Sequence, residues 1–300
     1  KKTTPATFEF IDTAAMRTGA GGQGLVGETL NEAKSADALA LVIRDFDNDT
    51  VPHPEGEVDG MRDLQFILDE FAMADFIMLE NRAERLRKQV QNTKQAEDER
   101  ELAALDQVLA GLSEGTPARA LGLTEQQRRL LAPYQLLTLK PMLVVVNIGD
   151  DAVDAMDEVI ARYAERFPDH NITAMCAVLE AELAQMESDE AADFMADLGI
   201  AESAFDRILA ACFRLLGLKV FFTVGQDECR AWPVTADATA YDCAGAIHSD
   251  LQRGFIRAVV MPYAAFEAEP SPRTFKQKQQ QHKKDYPLQD GDIMEIRFNV

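Results

Sequence analysis

The feature that most constrains the fold is a long stretch with helical spacing, residues 60–113, between two short apolar runs. Apolar side chains recur every three or four residues over 64–90 and again over 102–112. A polar stretch, residues 91–100, separates the two halves. The pattern predicts two amphipathic helices that pack antiparallel as a helical hairpin.

The runs on either side of this hairpin predict a parallel sheet. Residues 37–46 and 142–147 are nearly continuously apolar, which is typical of strands buried on both faces. Residues 172–177 indicate a further short strand, and helical patterns over 152–167 and 179–216 alternate with these runs. The alternation favours an α/β fold with a doubly wound parallel sheet, into which the hairpin is inserted.

The start of the chain indicates one more strand and a glycine-rich loop. Residues 7–12 alternate in polarity and end in Asp12, which predicts a strand of the same sheet. Residues 19–24 contain four glycines but no Gly-Lys-Ser/Thr, the sequence that supplies the cation and the magnesium ligand of a phosphate loop. We interpret them as a mobile switch loop.

The last 83 residues, 218–300, have a different pattern, in which two strand-like runs joined by a turn precede a helix and two further strands. This β-β-α-β-β order predicts a small β-grasp domain. A polar stretch rich in Gln and Lys, residues 267–284, is predicted to be a mobile loop. The predicted elements are strands 218–224 and 228–234, helix 238–251, and strands 255–263 and 293–300.

Composition limits the classes of function. The net charge of -21 argues against a generally basic nucleic-acid binder, and no DNA partner is expected. No apolar run reaches the roughly 18 residues that span a bilayer, so no membrane association is expected. Four cysteines and four histidines are scattered without metal-ligand spacing, which favours free thiols in the reducing cytoplasm and no structural metal site.

Polar residues at predicted strand ends suggest a nucleotide site, because ligands of such sheets bind at the carboxyl ends of the strands. Asp12 is a candidate to hold magnesium, although an Asp that caps the next turn has the same pattern. Asn147, Ile148 and Asp150 occupy the places of the GTPase Asn-Lys-x-Asp motif, with Ile148 in place of Lys. Strand-end turns rich in Asn and Asp are also common without any ligand. The backbone amides of the next strand end are candidates to face the base: Cys176, Ala177 and Val178.

Basic residues on the predicted hairpin form a possible RNA contact. Arg82, Arg85 and Lys88 are three residues apart and share one helix face. An ordinary solvated helix face has the same composition. Salt-dependent binding is the property that separates the two interpretations.

Taken together, these segments resemble one family, the Obg-like ATPases, which are translation-associated P-loop NTPases of the YchF type. The resemblance runs nearly from end to end and is most specific towards the C-terminus. The segments that carry it are Phe10-Ile11-Asp12-Thr13-Ala14-Ala15, Arg44-Asp45-Phe46, residues 53–60 (HPEGEVDG), 137–141 (LTLKP), 197–200 (DLGI), Ala231-Trp232, 247–257 (IHSDLQRGFIR), Asp290-Gly291-Asp292 and Arg297-Phe298-Asn299-Val300.

The resemblance implies a P-loop NTPase-like G domain (residues 1–55 and 136–216), a coiled-coil insertion (56–135) and a C-terminal β-grasp domain of the TGS type (217–300). It also implies hydrolysis of ATP or GTP with Mg²⁺, and association with the ribosome or ribosomal RNA.

Three departures from the family pattern affect these expectations. The phosphate loop and first switch of the family precede the point that matches Lys1. Ala15 stands where the switch has Gly, which restricts the backbone there, and Met16 agrees with the family's lack of a catalytic Gln. Asp150 replaces a Glu that favours adenine, so the choice between ATP and GTP stays open. The alternative function is a ribosome- or RNA-binding module that does not hydrolyse nucleotide.

Overall fold

The computed structural model of the protein describes residues 2–7, 9–13, 27–93, 95–197, 200, 202–225 and 227–299. The chain divides into two compact units. The central unit is Ile11–Cys212, and the C-terminal unit combines Lys1–Phe10 with Phe213–Val300. Each unit has buried apolar clusters of its own.

Both units contain strands and helices. The strands are β1 (Lys2–Thr4), β2 (Leu39–Asp45), β3 (Met142–Ile148), β4 (Asn171–Met175), β5 (Leu218–Val224), β6 (Glu228–Thr235), β7 (Phe255–Pro262), β8 (Gln280–His282) and β9 (Asp292–Phe298). The helices are α1 (Gly27–Ser35), α2 (Gly60–Thr93), α3 (Ala96–Ser113), α4 (Glu125–Leu131), α5 (Met156–Arg166), α6 (Ala177–Leu183), α7 (Ser188–Asp197), α8 (Ala204–Leu215), α9 (Ala240–Ile247), α10 (Ser249–Arg253), α11 (Tyr263–Glu267) and α12 (Pro272–Lys278).

The central unit contains a parallel sheet in the order β2-β3-β4. Every side chain of β3 from Met142 to Val146 is at most 3% exposed, which explains the continuous apolar run at this point of the sequence. Ala33 of α1, Phe71 of α2 and Tyr163 of α5 belong to the apolar cluster that covers the sheet. The predicted parallel α/β architecture is confirmed. No helix in the described part of the chain is long and apolar enough to cross a membrane.

The helical hairpin consists of α2 and α3, as the spacing of apolar residues predicts. Leu79 and Leu86 of α2 pack in one cluster with Leu105 and Val108 of α3, and all four side chains are completely buried. Residues three, four or seven apart lie on the same helix face, so one apolar stripe from each helix forms this seam.

A buried carboxylate anchors the hairpin where it meets the sheet. Asp75 of α2 is completely buried. It accepts hydrogen bonds from the backbone N–H groups of Leu137 and Thr138, at 3.1 and 2.8 Å, and from the Thr138 hydroxyl, at 2.7 Å. These bonds tie α2 to the segment that leads into β3.

The C-terminal unit is a six-stranded sheet in the order β1-β6-β5-β9-β7-β8, with α9 packed on it. The pair β5 and β6 is antiparallel, whereas β5 and β9 are parallel. Ala240 and Cys243 of α9 pack with Phe221 and Val260 of the sheet in one buried cluster. This is the predicted β-β-α-β-β order, extended by a short strand at each edge.

The prediction of a mobile loop over 267–284 is wrong, because this segment contains α12 and β8. Ser271 caps α12 by accepting a hydrogen bond from the Thr274 N–H at 3.2 Å. Thr274 is 1% exposed and donates its hydroxyl to the Glu269 carbonyl at 2.6 Å. β8 pairs with the edge of β7, a long-range contact that composition does not encode.

The prediction of a strand over 7–12 is also wrong for the described residues, since 5–7 and 9–13 have no regular structure. Instead β1, at residues 2–4, pairs in parallel with β6 of the C-terminal unit. Phe10 and Ile11 are 57% and 54% exposed. Alternating polarity produces a strand only where a neighbouring strand pairs the backbone, and 9–13 pair with no strand in the described part of the chain.

Candidate functional site

The carboxyl ends of the three parallel strands form one edge of the central sheet, which we call the strand-end ledge (Asp45, Asn147–Asp150 and Met175–Val178). The register pairs Asp45 with Ile148 and Asn147 with Met175, so the strands end together. The polar residues that follow separate strands in the sequence are therefore neighbours in space, as the strand-end argument predicts.

Asn147 connects two segments of the strand-end ledge. Its side-chain Oδ1 accepts a hydrogen bond from the backbone N–H of Ala177 at 3.0 Å. Ala177 begins α6 directly after β4, so one amide holds the end of β3 and the β4–α6 turn together. Asn147 therefore fixes the position of the β4–α6 turn relative to the end of β3.

Ile148 and Asp150 point to different environments. Ile148 is 2% exposed and packs in the core below the ledge. Asp150 is exposed, and one of its carboxylate oxygens accepts a hydrogen bond from the N–H of Asp151 at 3.1 Å. Each carboxylate oxygen has two lone pairs, so Asp150 can still accept hydrogen bonds from a ligand at the ledge.

The β4–α6 turn combines a buried and an exposed side chain. Cys176 is 2% exposed, whereas Val178 is 62% exposed. Because Val178 is the second residue of α6, its N–H has no carbonyl partner within that helix. The ledge thus offers a carboxylate acceptor, a backbone donor and an exposed apolar side chain, which together suit the edge and face of a flat nitrogenous ring.

The structure adds Arg44 and Phe46, to which the sequence argument assigned no site role. The Arg44 guanidinium lies 4.9 Å from the centre of the Phe46 ring. Its Nε donates to the Phe46 carbonyl at 3.0 Å and its Nη1 to the Val51 carbonyl at 2.8 Å. A Cβ placed on Gly149 would lie 3.5 Å from the Phe46 Cβ, so Phe46 borders the Asn147–Asp150 turn. The sequence signals for this pair were a basic and an aromatic residue at the end of a strand, in a segment that carries the family resemblance.

Asp45 is held by α5. The Arg162 guanidinium donates to the Asp45 carboxylate at 2.7 Å. This ion pair occupies the carboxylate nearest the end of β2, which leaves Asp150 as the exposed acidic group of the ledge.

Of the residues predicted for magnesium and for the switch, the structure describes only Asp12. Asp12 is exposed in a segment without regular structure and does not end a strand. Ala15 and Met16, together with the glycines of 19–24, lie outside the described residues. Among the described residues, no group of three or more His, Cys, Asp and Glu could hold a metal ion. All four cysteines are free.

The three basic candidates on the hairpin divide into two kinds. Arg82 binds Glu101 of α3 through two hydrogen bonds, of 2.9 and 3.1 Å, and its Nε also donates to the Tyr134 hydroxyl at 2.9 Å. These bonds raise the pKa of Arg82, while burial, followed by Glu101, raises the pKa of Tyr134. Arg85 and Lys88 are exposed and make no ion pair with any residue that the structure describes.

Comparisons with known proteins identify the family to which the chain belongs. The family model YchF-GTPase_C, described as a protein of unknown function, matches residues 218–299. The "Ribosome-binding ATPase YchF" of Bacillus subtilis is 37% identical over 308 residues, which cover 100% of this chain and 84% of that protein. The chain belongs to the YchF family. The YchF protein of Haemophilus ducreyi, with the same printed name, is 36% identical and is covered to 82%.

A solved YchF structure has the same fold. The Schizosaccharomyces pombe YchF GTPase superposes with a TM-score of 0.81 at 26% identity, over 94% of this chain and 78% of that one. The resemblance of the sequence to the YchF-type Obg-like ATPases is thereby confirmed.

Proposed function

We propose that this protein is a ribosome-associated ATPase or GTPase that binds its nucleotide at the strand-end ledge. The observation that carries the proposal is the hydrogen bond from Ala177 to Asn147, which organises the ledge in a chain of the YchF family. The relatives named ribosome-binding ATPase support both halves of the proposal, the nucleotide and the ribosome.

The base of the nucleotide contacts the ledge through three kinds of group. Asp150 accepts hydrogen bonds from ring or exocyclic N–H groups, and the backbone N–H of Val178 donates to a ring acceptor, whereas the N–H of Ala177 is already bound to Asn147. Phe46 and Val178 contact the faces of the ring. Ile148 is buried below and supports the turn, rather than covering the base as the Lys of a GTPase motif does. Adenine and guanine both offer N–H groups to Asp150, so the ledge by itself accepts either base.

Magnesium fits this site as a partner of the nucleotide phosphates. The ion commonly uses only one or two protein carboxylates and takes its remaining oxygens from phosphates and water. A ready-made cluster of acidic ligands, which the described residues lack, is therefore not required. Asp12 is the carboxylate that would hold it, and we assign Ala15 and Met16 to the switch. The ion neutralises phosphate charge when bound.

The domain division follows from the same proposal. We assign residues 11–55 and 136–212 to the NTPase domain, 56–135 to the coiled-coil insertion, and 213–300 together with 1–10 to the TGS domain, because 1–10 and 213–216 belong to the C-terminal compact unit. Arg85 and Lys88 on the insertion contact ribosomal RNA, because their charges are exposed and unpaired by the described residues, whereas Arg82 holds the hairpin. The compartment is the cytoplasm, where ribosomes are found.

The test is calorimetric titration of the protein with ATP and GTP, with and without Mg²⁺. Asp150→Ala removes the exposed acceptor and is expected to weaken binding at least about tenfold, the usual cost of losing hydrogen bonds to a charged group. Asp157→Asn, an exposed acidic residue of α5, is the control and leaves the dissociation constant unchanged. Equal binding by the wild type and Asp150→Ala would remove the ledge as the base site.

Phosphate release separates the enzyme from the alternative, a binding module without hydrolysis. The proposal expects Mg²⁺-dependent phosphate release that Asp12→Ala reduces. Nucleotide binding without any phosphate release, together with co-sedimentation with ribosomes, would instead establish the binding module.

A further inference from the structure

A cavity lies at the edge of the central sheet opposite the strand-end ledge. Its volume is about 710 Å³, within the roughly 300–1,000 Å³ of small-molecule sites. Its walls include Met142, the first residue of β3, and His170, which directly precedes β4. The amino ends of parallel strands share one edge, so this cavity is remote from the residues assigned to the nucleotide.

The walls of this cavity are mostly apolar and firmly packed. Phe71 of α2, Met142 and Phe167 are 1%, 3% and 5% exposed and belong to the same buried cluster. Phe76 of α2 completes an aromatic lining. Such a surface suits an apolar ligand body, as the walls of small-molecule sites usually do.

One cation, Arg119, stands in this apolar wall. Its Nη2 lies 2.5 Å from the His170 Nε2. Burial lowers the pKa of Arg119, and burial together with the adjacent guanidinium lowers the pKa of His170 to about 4. The imidazole is therefore neutral at neutral pH and accepts from the guanidinium through Nε2. Its proton is on Nδ1, which has no hydrogen-bond partner among the described residues.

Arg119 lacks a contacting counterion. No carboxylate of the described residues lies within 4 Å of its guanidinium. Asp169 acts on it from a greater distance, and Asp69, Arg166 and Asp169 at the rim are exposed, where solvent screens their charges. A partly desolvated guanidinium paired only with a neutral ring is stabilised by an anion that binds in the cavity.

We propose that this cavity binds a small carboxylate with an apolar aryl or alkyl body. The carboxylate pairs with the free N–H groups of Arg119, and the body contacts the Phe71, Phe76 and Phe167 side chains. A phosphate dianion is disfavoured, because Arg119 stands beside a neutral imidazole and the second guanidinium, Arg166, is exposed and screened by solvent, so two desolvated charges are not compensated. The site requires no nucleotide and is independent of the function proposed above.

The probe is 4-phenylbutyrate, compared with its neutral analogue 4-phenylbutanol by calorimetry on the intact protein. The acid is expected to bind at least about tenfold more tightly than the alcohol, since a charge-assisted pair is worth about a factor of ten or more. Arg119→Gln removes that preference, so the acid and the alcohol then bind alike. Arg129→Gln, at an exposed arginine of α4, retains it.

A second variant tests the location without touching the charge. Ala72→Met fills the cavity from α2 with a good helix former and is expected to weaken the acid and the alcohol together. Thermal unfolding verifies that each variant is folded. The proposal fails if the wild type does not bind the acid at millimolar concentration, if the alcohol binds equally well, or if Ala72→Met leaves both affinities unchanged. None of these results depends on ATP or GTP binding.

Discussion

Asp75 is a charged residue in a completely buried position, and its surroundings explain why it is tolerated there. Burial raises the pKa of its carboxyl group, while the hydrogen bonds from Thr138 and Leu137 oppose that rise. Removing the acceptor leaves three donors without a partner inside the protein. Buried groups of this kind cost more when unpaired than the hydrogen bond contributes when formed.

We expect Asp75→Asn to lower the free energy of unfolding by about 2 to 3 kcal/mol, because in either orientation of the amide its NH₂ group faces a donor, that of Leu137 or those of Thr138. Urea unfolding followed by circular dichroism measures the loss. Asp69→Asn, at an exposed position on the same helix, is the control and changes the free energy by less than about 0.5 kcal/mol. Equal stability of the two variants would mean that Asp75 does not anchor the hairpin.

At the scale of elements, the hairpin separates residues that hold it together from residues that face solvent. Arg82, Glu101 and Tyr134 join α2, α3 and the segment after α4 through one network. Arg85 and Lys88 lie one and two turns further along α2 and are exposed. The basic residues of this helix therefore differ in role: Arg82 holds the hairpin together, whereas Arg85 and Lys88 face solvent.

Charge reversal is expected to separate these roles. The double variant Arg85→Glu, Lys88→Glu is expected to co-sediment less with ribosomes. The slope of log affinity against log salt concentration falls by the amount expected for about two lost phosphate contacts, and the free energy of unfolding is unchanged. Arg82→Ala lowers the free energy of unfolding by about 1 kcal/mol, as expected for a half-buried bidentate pair. Arg129→Glu with Arg214→Glu, two exposed residues, controls for the change in net charge. If this control variant weakens ribosome binding as much as the Arg85→Glu, Lys88→Glu variant does, Arg85 and Lys88 make no specific contact with the ribosome.

The sequence predicts those elements whose signal is local. The hairpin and β3 are clear because helical spacing and a continuous apolar run are recorded in consecutive residues. β8 and the pairing of residues 2–4 with β6 depend on neighbours far along the chain, so neither is predictable from consecutive residues.

The candidate site divides in the same way. The general rule for strand ends predicts that Asn147 and the β4–α6 turn are neighbours, although they are 30 residues apart. The partners of Arg82 are not predictable, since Glu101 and Tyr134 are 19 and 52 residues away and no rule relates them.

At the scale of the whole molecule, two compact units with separate cores imply two cooperative blocks. Phe221 lies at the centre of the C-terminal unit and Leu105 in the hairpin core of the central unit, and both are completely buried. Truncation of either side chain to Ala creates a cavity that costs about 2 to 5 kcal/mol.

We expect scanning calorimetry to resolve two unfolding transitions, with Phe221→Ala and Leu105→Ala each lowering the midpoint of a different one. Phe298→Ala, which removes a side chain that is 47% exposed, is the control and affects both transitions little. A single transition that both core variants shift equally would contradict independent cores.

The length of α2 has a mechanical consequence. The helix has 34 residues, and at 1.5 Å per residue its outer part, from Asp75 to Thr93, is a rigid lever arm of about 27 Å. A rotation of about 10° about Asp75 moves the outer end by roughly 5 Å over this length. Small displacements beside the sheet are thus magnified at the far end of the hairpin. Conversely, a force applied at the far end acts at the sheet as a torque about Asp75.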